Sequence, residues 1–129
     1  MRCVVVTPET TLRDAAADFV ALTLFDGEIG IGPGHTPLIG RLGFGEMRIR
    51  QGTQTERYYV EGGFVEVADD VVNVLTPRAI PAAQLDEAVA RAQLSVALEQ
   101  PANTPELMAQ RDTAVAQSRS QMRVARRAR

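Results

Sequence analysis

The chain has no lysine: all 14 of its basic residues are arginines. That excludes the nucleoside-triphosphate loop, whose lysine reaches the terminal phosphates. A lone histidine, His35, excludes a metal centre built on two histidines. A lone cysteine, Cys3, excludes an internal disulfide framework and fits a reducing compartment. No apolar run approaches the length of a membrane span. The start, Met1-Arg2-Cys3-Val4-Val5-Val6, has too short an apolar stretch for a secretion signal and reads as a strand, in which Cys3 is a buried, inert thiol. Asp26 and Glu28 could form a carboxylate pair, but no base accompanies them. Nowhere do a nucleophile, a general base and an oxyanion donor belong together, so catalysis is not expected.

What the chain does have is glycine and proline gathered in one place. Residues 25–37 read Phe-Asp-Gly-Glu-Ile-Gly-Ile-Gly-Pro-Gly-His-Thr-Pro. Asp26-Gly27 signals a tight turn, and Gly30, Gly32 and Gly34 alternate with Ile29, Ile31 and Pro33. A flexible spacer gains nothing by exposing isoleucines, so a shaped loop is expected that buries part of itself and presents the rest. It is not a dinucleotide loop, because His35, Thr36 and Pro37 follow where a helix should open.

Around that loop, residues 2–76 read as short strands separated by turns. Val20, Leu22 and Leu24 alternate with Phe19, Ala21 and Thr23; later Met47 and Ile49 alternate with Glu46, Arg48 and Arg50, which places one face of that strand in water. The alternation slips phase at Gly62-Gly63, where a bend or bulge lets the strand turn a corner. Asp69-Asp70 makes the next turn, and residues 71–76 the next strand. Many short strands with polar turns argue a small β-sandwich or barrel. At 129 residues there is material for one modest core and a small satellite element.

The texture changes between Pro77 and Pro81. Beyond them Leu85, Val89, Ala92 and Val96 repeat at helical spacing, and Thr104-Pro105-Glu106 opens a second helix carrying Met108, Val115 and Met122. Two helices with a short connection predict an antiparallel hairpin over a thin seam, less stable than the strands before it. The fold class is therefore α+β, a β-sandwich of short antiparallel strands in residues 1–80 followed by a two-helix hairpin in residues 81–129. Net charge is -2, yet Arg119, Arg123, Arg126, Arg127 and Arg129 crowd the last eleven positions. That is either a solvated helix end or an arm for an acidic partner.

Four stretches then carry a resemblance. Asp-Gly-Glu-Ile-Gly-Ile with Pro-Gly-His-x-Pro-Leu across residues 26–38, Gly45-x-Met-Arg-Ile49, Tyr59-x-x-Gly-Gly-Phe-x-Glu-Val67 and Val72-x-Val-Leu-x-x-x-Ala-Ile80 resemble the epsilon subunit of F-type ATP synthases, the mitochondrial delta subunit. The resemblance is tight to about residue 88 and continues only as helical character. It implies a non-catalytic central-stalk subunit that turns with the rotor, at the cytoplasmic face of the inner membrane, with no lipid insertion. Its implied partners are the membrane ring, the gamma subunit and the alpha/beta catalytic head. Carried over by motif, Glu28, Gly30, Ile31 and His35 would meet the ring; Met47, Ile49, Tyr58 and Phe64 would face gamma; Arg119, Arg123, Arg126 and Arg127 would form a regulatory end that restrains ATP hydrolysis. Some members bind ATP through an Ile/Leu-Asp-x-x-Arg-Ala run. Here Leu85-Asp86-Glu87-Ala88-Val89-Ala90 puts a valine in the arginine's place, and Arg91, two residues on, points to nearly the opposite side of the helix, so no cofactor is expected. The alternative function is a free-standing sandwich whose basic helical tail docks an acidic protein. Nucleic acid is a poor partner, since the chain is acidic overall and its tail interleaves no aromatics.

Overall fold

A computed structural model describes residues 1–127, in two compact units, Met1–Pro81 and a second from Ala82 onward. Arg129, counted with the basic end above, lies outside the described residues.

The first unit is a sandwich of ten strands: β1 (Arg2–Val6), β2 (Thr11–Ala16), β3 (Phe19–Leu24), β4 (Gly27–Ile31), β5 (Leu38–Arg41), β6 (Phe44–Gln51), β7 (Gln54–Glu61), β8 (Phe64–Ala68), β9 (Val71–Leu75) and β10 (Ala79–Pro81). One sheet has the order β2-β1-β9-β8-β5 and the other β10-β7-β6-β3-β4. Pairing is antiparallel except between β1 and β9. Alternation decides which side chains meet between the sheets: Cys3 and Val5, Val20 and Leu22, Met47 and Ile49, Val65 and Val67, Val72 and Val74 all point into one core. At Gly62-Gly63, with φ of 73° and 101°, the chain leaves β7 in one sheet for β8 in the other, the corner that the phase slip predicted. A Cβ on Gly63 would overlap the Leu75 carbonyl, so nothing larger fits there.

Two expectations need correction. The Gly-rich stretch is not one loop: residues 27–31 form β4, joined to β3 by a two-residue turn at Phe25-Asp26, and only residues 32–37 are loop. Residues 79–81, not expected as a strand, pair with β7 as edge strand β10, just before the division between the units. Pro81 is tolerated there because an edge strand has no second partner to receive its missing N–H.

The second unit opens with a 3-10 turn, Ala82–Gln84, and holds α1 (Glu87–Leu98) and α2 (Pro105–Arg127), which pack along one another. Asp86 caps α1, its carboxylate accepting the Ala88 and Val89 N–H groups at 2.8 and 3.4 Å. Thr104 caps α2 through its hydroxyl, which accepts the Leu107 N–H at 3.2 Å, with Pro105 at the first helical position as expected. The seam differs from the one the spacing predicted. Val89 and Val96 are 52% and 63% exposed and Met108 is exposed too, whereas Ala90 and Ala97 on α1 and Ser118 and Ala125 on α2 are buried. Small side chains let two helix backbones come close, and that contact outweighs the larger but sparser Val89 and Val96; among the described residues, Val124 is the one large apolar side chain buried on α2.

Candidate functional surfaces

The expected ring-facing residues do not share one environment. Glu28 and Gly30 lie on β4, an edge strand, and both are exposed. His35 lies in the loop, half-buried, with its Nδ1 2.7 Å from the Thr36 carbonyl. Glu28 opposes Thr23 and Ile31 opposes Val20, so Glu28 sits about 10 Å up the strand from the point where the loop starts. Ile31 is 0% exposed: it faces the core, because position 31 shares its side of β4 with Ile29 and packs with Val20 and Leu22. Its assignment to an interface is therefore wrong. Gly30 also has a local reason to be glycine, since a Cβ there would strike the Phe19 ring, over which the Arg50 guanidinium lies at 5.4 Å from the centroid.

The expected gamma-facing residues divide similarly. Met47 and Ile49 are buried in the core and cannot meet a partner. Tyr58, opposite Met47, is half-buried against that core, and its hydroxyl donates to Glu56 Oε2 at 3.2 Å. Burial, helped by Glu56, pushes its phenol above the usual range. Phe64 alone is open, at 58% exposed.

Phe64 belongs to a surface that alternation alone did not single out. The register places Arg41, Phe64, Leu75 and Val6 side by side across four strands, on the outer face of the β2-β1-β9-β8-β5 sheet. Leu75 is 52% exposed and Ile39 is more exposed still. At the end of this row an open apolar cleft of about 390 Å³ is lined by Val6, Pro8, Phe64, Leu75, Thr76 and Pro77. The sequence signal was there in Phe64 and Leu75, each the outward partner of buried valines, but only the pairing of β8 with β9 makes them neighbours.

Glu46, assigned above to the wet face of its strand, is 5% exposed. Its Oε1 accepts from Arg48 Nη1 at 3.0 Å and from Arg57 Nη1 at 3.1 Å. A carboxylate withdrawn from water needs such partners, and Arg57 arrives only through the β6–β7 register, which the sequence does not display. Cys3 is buried as expected, and desolvation raises its thiol to about 11, so it is a poor nucleophile at neutral pH.

Of the basic end, Arg119, Arg123 and Arg127 are exposed. Arg126 is already engaged: its Nε donates to Glu87 Oε1 at 2.6 Å, and Arg91 Nη2 reaches the same oxygen at 3.1 Å. It therefore ties the end of α2 to the start of α1. The Leu85–Ala90 run is likewise occupied locally, Asp86 by its cap and Arg91 by Glu87, with Val89 exposed.

Residues 1–82 match the family model described as ATP synthase, Delta/Epsilon chain, beta-sandwich domain. An ATP synthase epsilon chain of Rhodopirellula baltica is 53% identical over 126 residues, 98% of each chain. Another, of Rubrobacter xylanophilus, is 34% identical over 81% of this chain and 71% of its own. Among solved structures, a chain of the Euglena gracilis mitochondrial ATP synthase (OSCP/F1/c-ring) superposes with a TM-score of 0.84 at 20% identity, covering 92% of this chain and 76% of that one. A chain from the central stalk and c-ring of the Tetrahymena thermophila enzyme gives 0.74 at 15% identity, covering 97% and 96%.

Proposed function

The chain belongs to the ATP synthase delta/epsilon family, and from that premise we propose how its surfaces divide the work of a central-stalk epsilon subunit. It makes no ATP itself; it joins the rotor parts of a complex that does. The outer face bearing Phe64, Leu75, Val6 and Ile39 is the gamma-docking surface, in place of the buried Met47 and Ile49. The observation that carries this is the exposed apolar row: large apolar side chains left open beside one another, with a cleft at one end, are the makings of an interface core. Residues 32–37 with His35, and the exposed β4 edge with Glu28 and Gly30, face the membrane ring. The subunit thus works peripherally, on the cytoplasmic face of the bacterial membrane. No helix among the described residues is long and apolar enough to cross a membrane.

The hairpin is the regulatory element. Its exposed Val89, Val96 and Met108, together with Arg119, Arg123 and Arg127, offer a partner both apolar and cationic contacts, which suits an acidic segment of the alpha/beta head. Such contacts restrain ATP hydrolysis if they hold the rotor in one orientation.

The docking assignment is tested by a Phe64→Glu, Leu75→Glu double variant in the full chain. Both side chains are exposed, so the sandwich should fold with a nearly unchanged melting temperature, while affinity for isolated gamma falls at least about tenfold. Unchanged affinity would sink the assignment.

A further inference from the structure

The turn between β8 and β9 is made by Asp69 and Asp70, both in left-handed backbone at φ of 52° and 62°. Two consecutive positive φ values belong to a hairpin turn in which asparagine and glycine are the low-strain residues, so an aspartate at the second position is a choice that needs a reason. The reason lies 36 residues away in sequence: Asp70 Oδ1 accepts the Gly34 N–H at 2.9 Å. Its other oxygen, Oδ2, lies 3.6 Å from the Met1 amino group.

Gly34 is the second central residue of a turn with Pro33 before it, φ of 74° and a closing bond from the His35 N–H to the Gly32 carbonyl at 3.3 Å. Pro-Gly in those places is the type II pattern, and the amide between the two central residues has no partner inside such a turn. Pairing of β5 with β8, Leu38 opposite Val67, delivers the loop's exit to the end of β8 where the aspartates stand. We propose that Asp70 is a positioning residue that clamps residues 32–37, and His35 with them, in the conformation that docks on the membrane ring. The proposal rests on reading that loop as a ring-docking element. A charged acceptor makes a stronger bond than a neutral one, and the Gly34 amide holds the Asp70 carboxyl below the usual carboxylate range, so the acceptor carries its charge at neutral pH. A loop preset in this way reaches its partner without first being ordered.

The test compares Asp70→Gly and Asp70→Asn in the full chain. Glycine removes the carboxylate and relieves the backbone, so the melting temperature should hold or rise. Exchange of the Gly34 amide should nonetheless quicken about tenfold or more, and the His35 ring resonances should shift. Asparagine keeps an acceptor oxygen and should restore most of the protection. Affinity for the detergent-solubilised ring should fall several-fold in Asp70→Gly and recover in Asp70→Asn. Unchanged Gly34 exchange in Asp70→Gly overturns the clamp. Faster exchange with unchanged ring affinity leaves the clamp standing and overturns the ring-docking role of the loop.

Discussion

The sandwich and the hairpin bury different kinds of side chain. Between the sheets lie mainly valines, isoleucines, two leucines and a methionine, most of them at positions set by period-two alternation. In the hairpin the buried side chains are mostly small, Ala90 and Ala97 on α1 and Ser118, Ser120 and Ala125 on α2 with Val124 among them, while Val89 and Val96 stay open. The difference teaches that hydrophobic spacing finds a core when every candidate position is filled by a branched residue, and misleads when a few valines compete with many alanines. In a sheet the register leaves each side chain only two faces. A helix can rotate, and it turns whichever face allows the closest approach.

The sharpest way to break that comparison is Ile31→Asp. As a core residue it should cost about 5 kcal/mol, comparable to the whole stability of a small domain, and leave no cooperative thermal transition in the sandwich by circular dichroism. A folded protein with weakened ring attachment would restore the interface reading of this residue.

A smaller effect tests the helical seam. Ala97→Leu should overpack it and lower the stability of the hairpin by about 1–3 kcal/mol, whereas Val96→Ala next to it should change stability by less than about 0.5 kcal/mol. Greater sensitivity at Val96, measured by urea unfolding followed at the helical band, would return the seam to the face predicted from spacing.

The smallest effect concerns the Glu87 cluster that joins the two ends of the hairpin. Glu87→Gln should destabilise it by about 0.5 kcal/mol in low salt and by less as salt is added, because Arg126 and Arg91 are largely exposed. A salt-independent loss would mean that the contact acts through packing and not through charge.

Much of the sandwich was legible from residues: β3, β6, β7 and β8 announce themselves by alternation, β1 and β9 as short valine-rich runs beside turns, and Gly62-Gly63 by its phase slip. The four strands that were not read, β2, β4, β5 and β10, are the four sheet edges. Edge strands are short or contain glycine, proline or charge, and need bury little, so they write a weak pattern. The candidate surfaces divide along the same line. Phe64 and His35 could be named from motif, but Leu75, Asp70 and the engagement of Arg126 depend on partners far along the chain.

The sequence by itself determined the class, the order of the two units, the Thr104 cap of the second helix and the absence of a histidine pair, a disulfide framework or a phosphate-loop lysine, because each of these is set by residue type and local spacing. Tertiary structure alone decided that Ile31 faces inward, that Glu46 is buried between two arginines, and that Phe64, Leu75 and Val6 form one row. Those outcomes depend on which strand lies beside which. Pairing is a long-range choice fixed by the joint burial of two sheets, and no local window contains it.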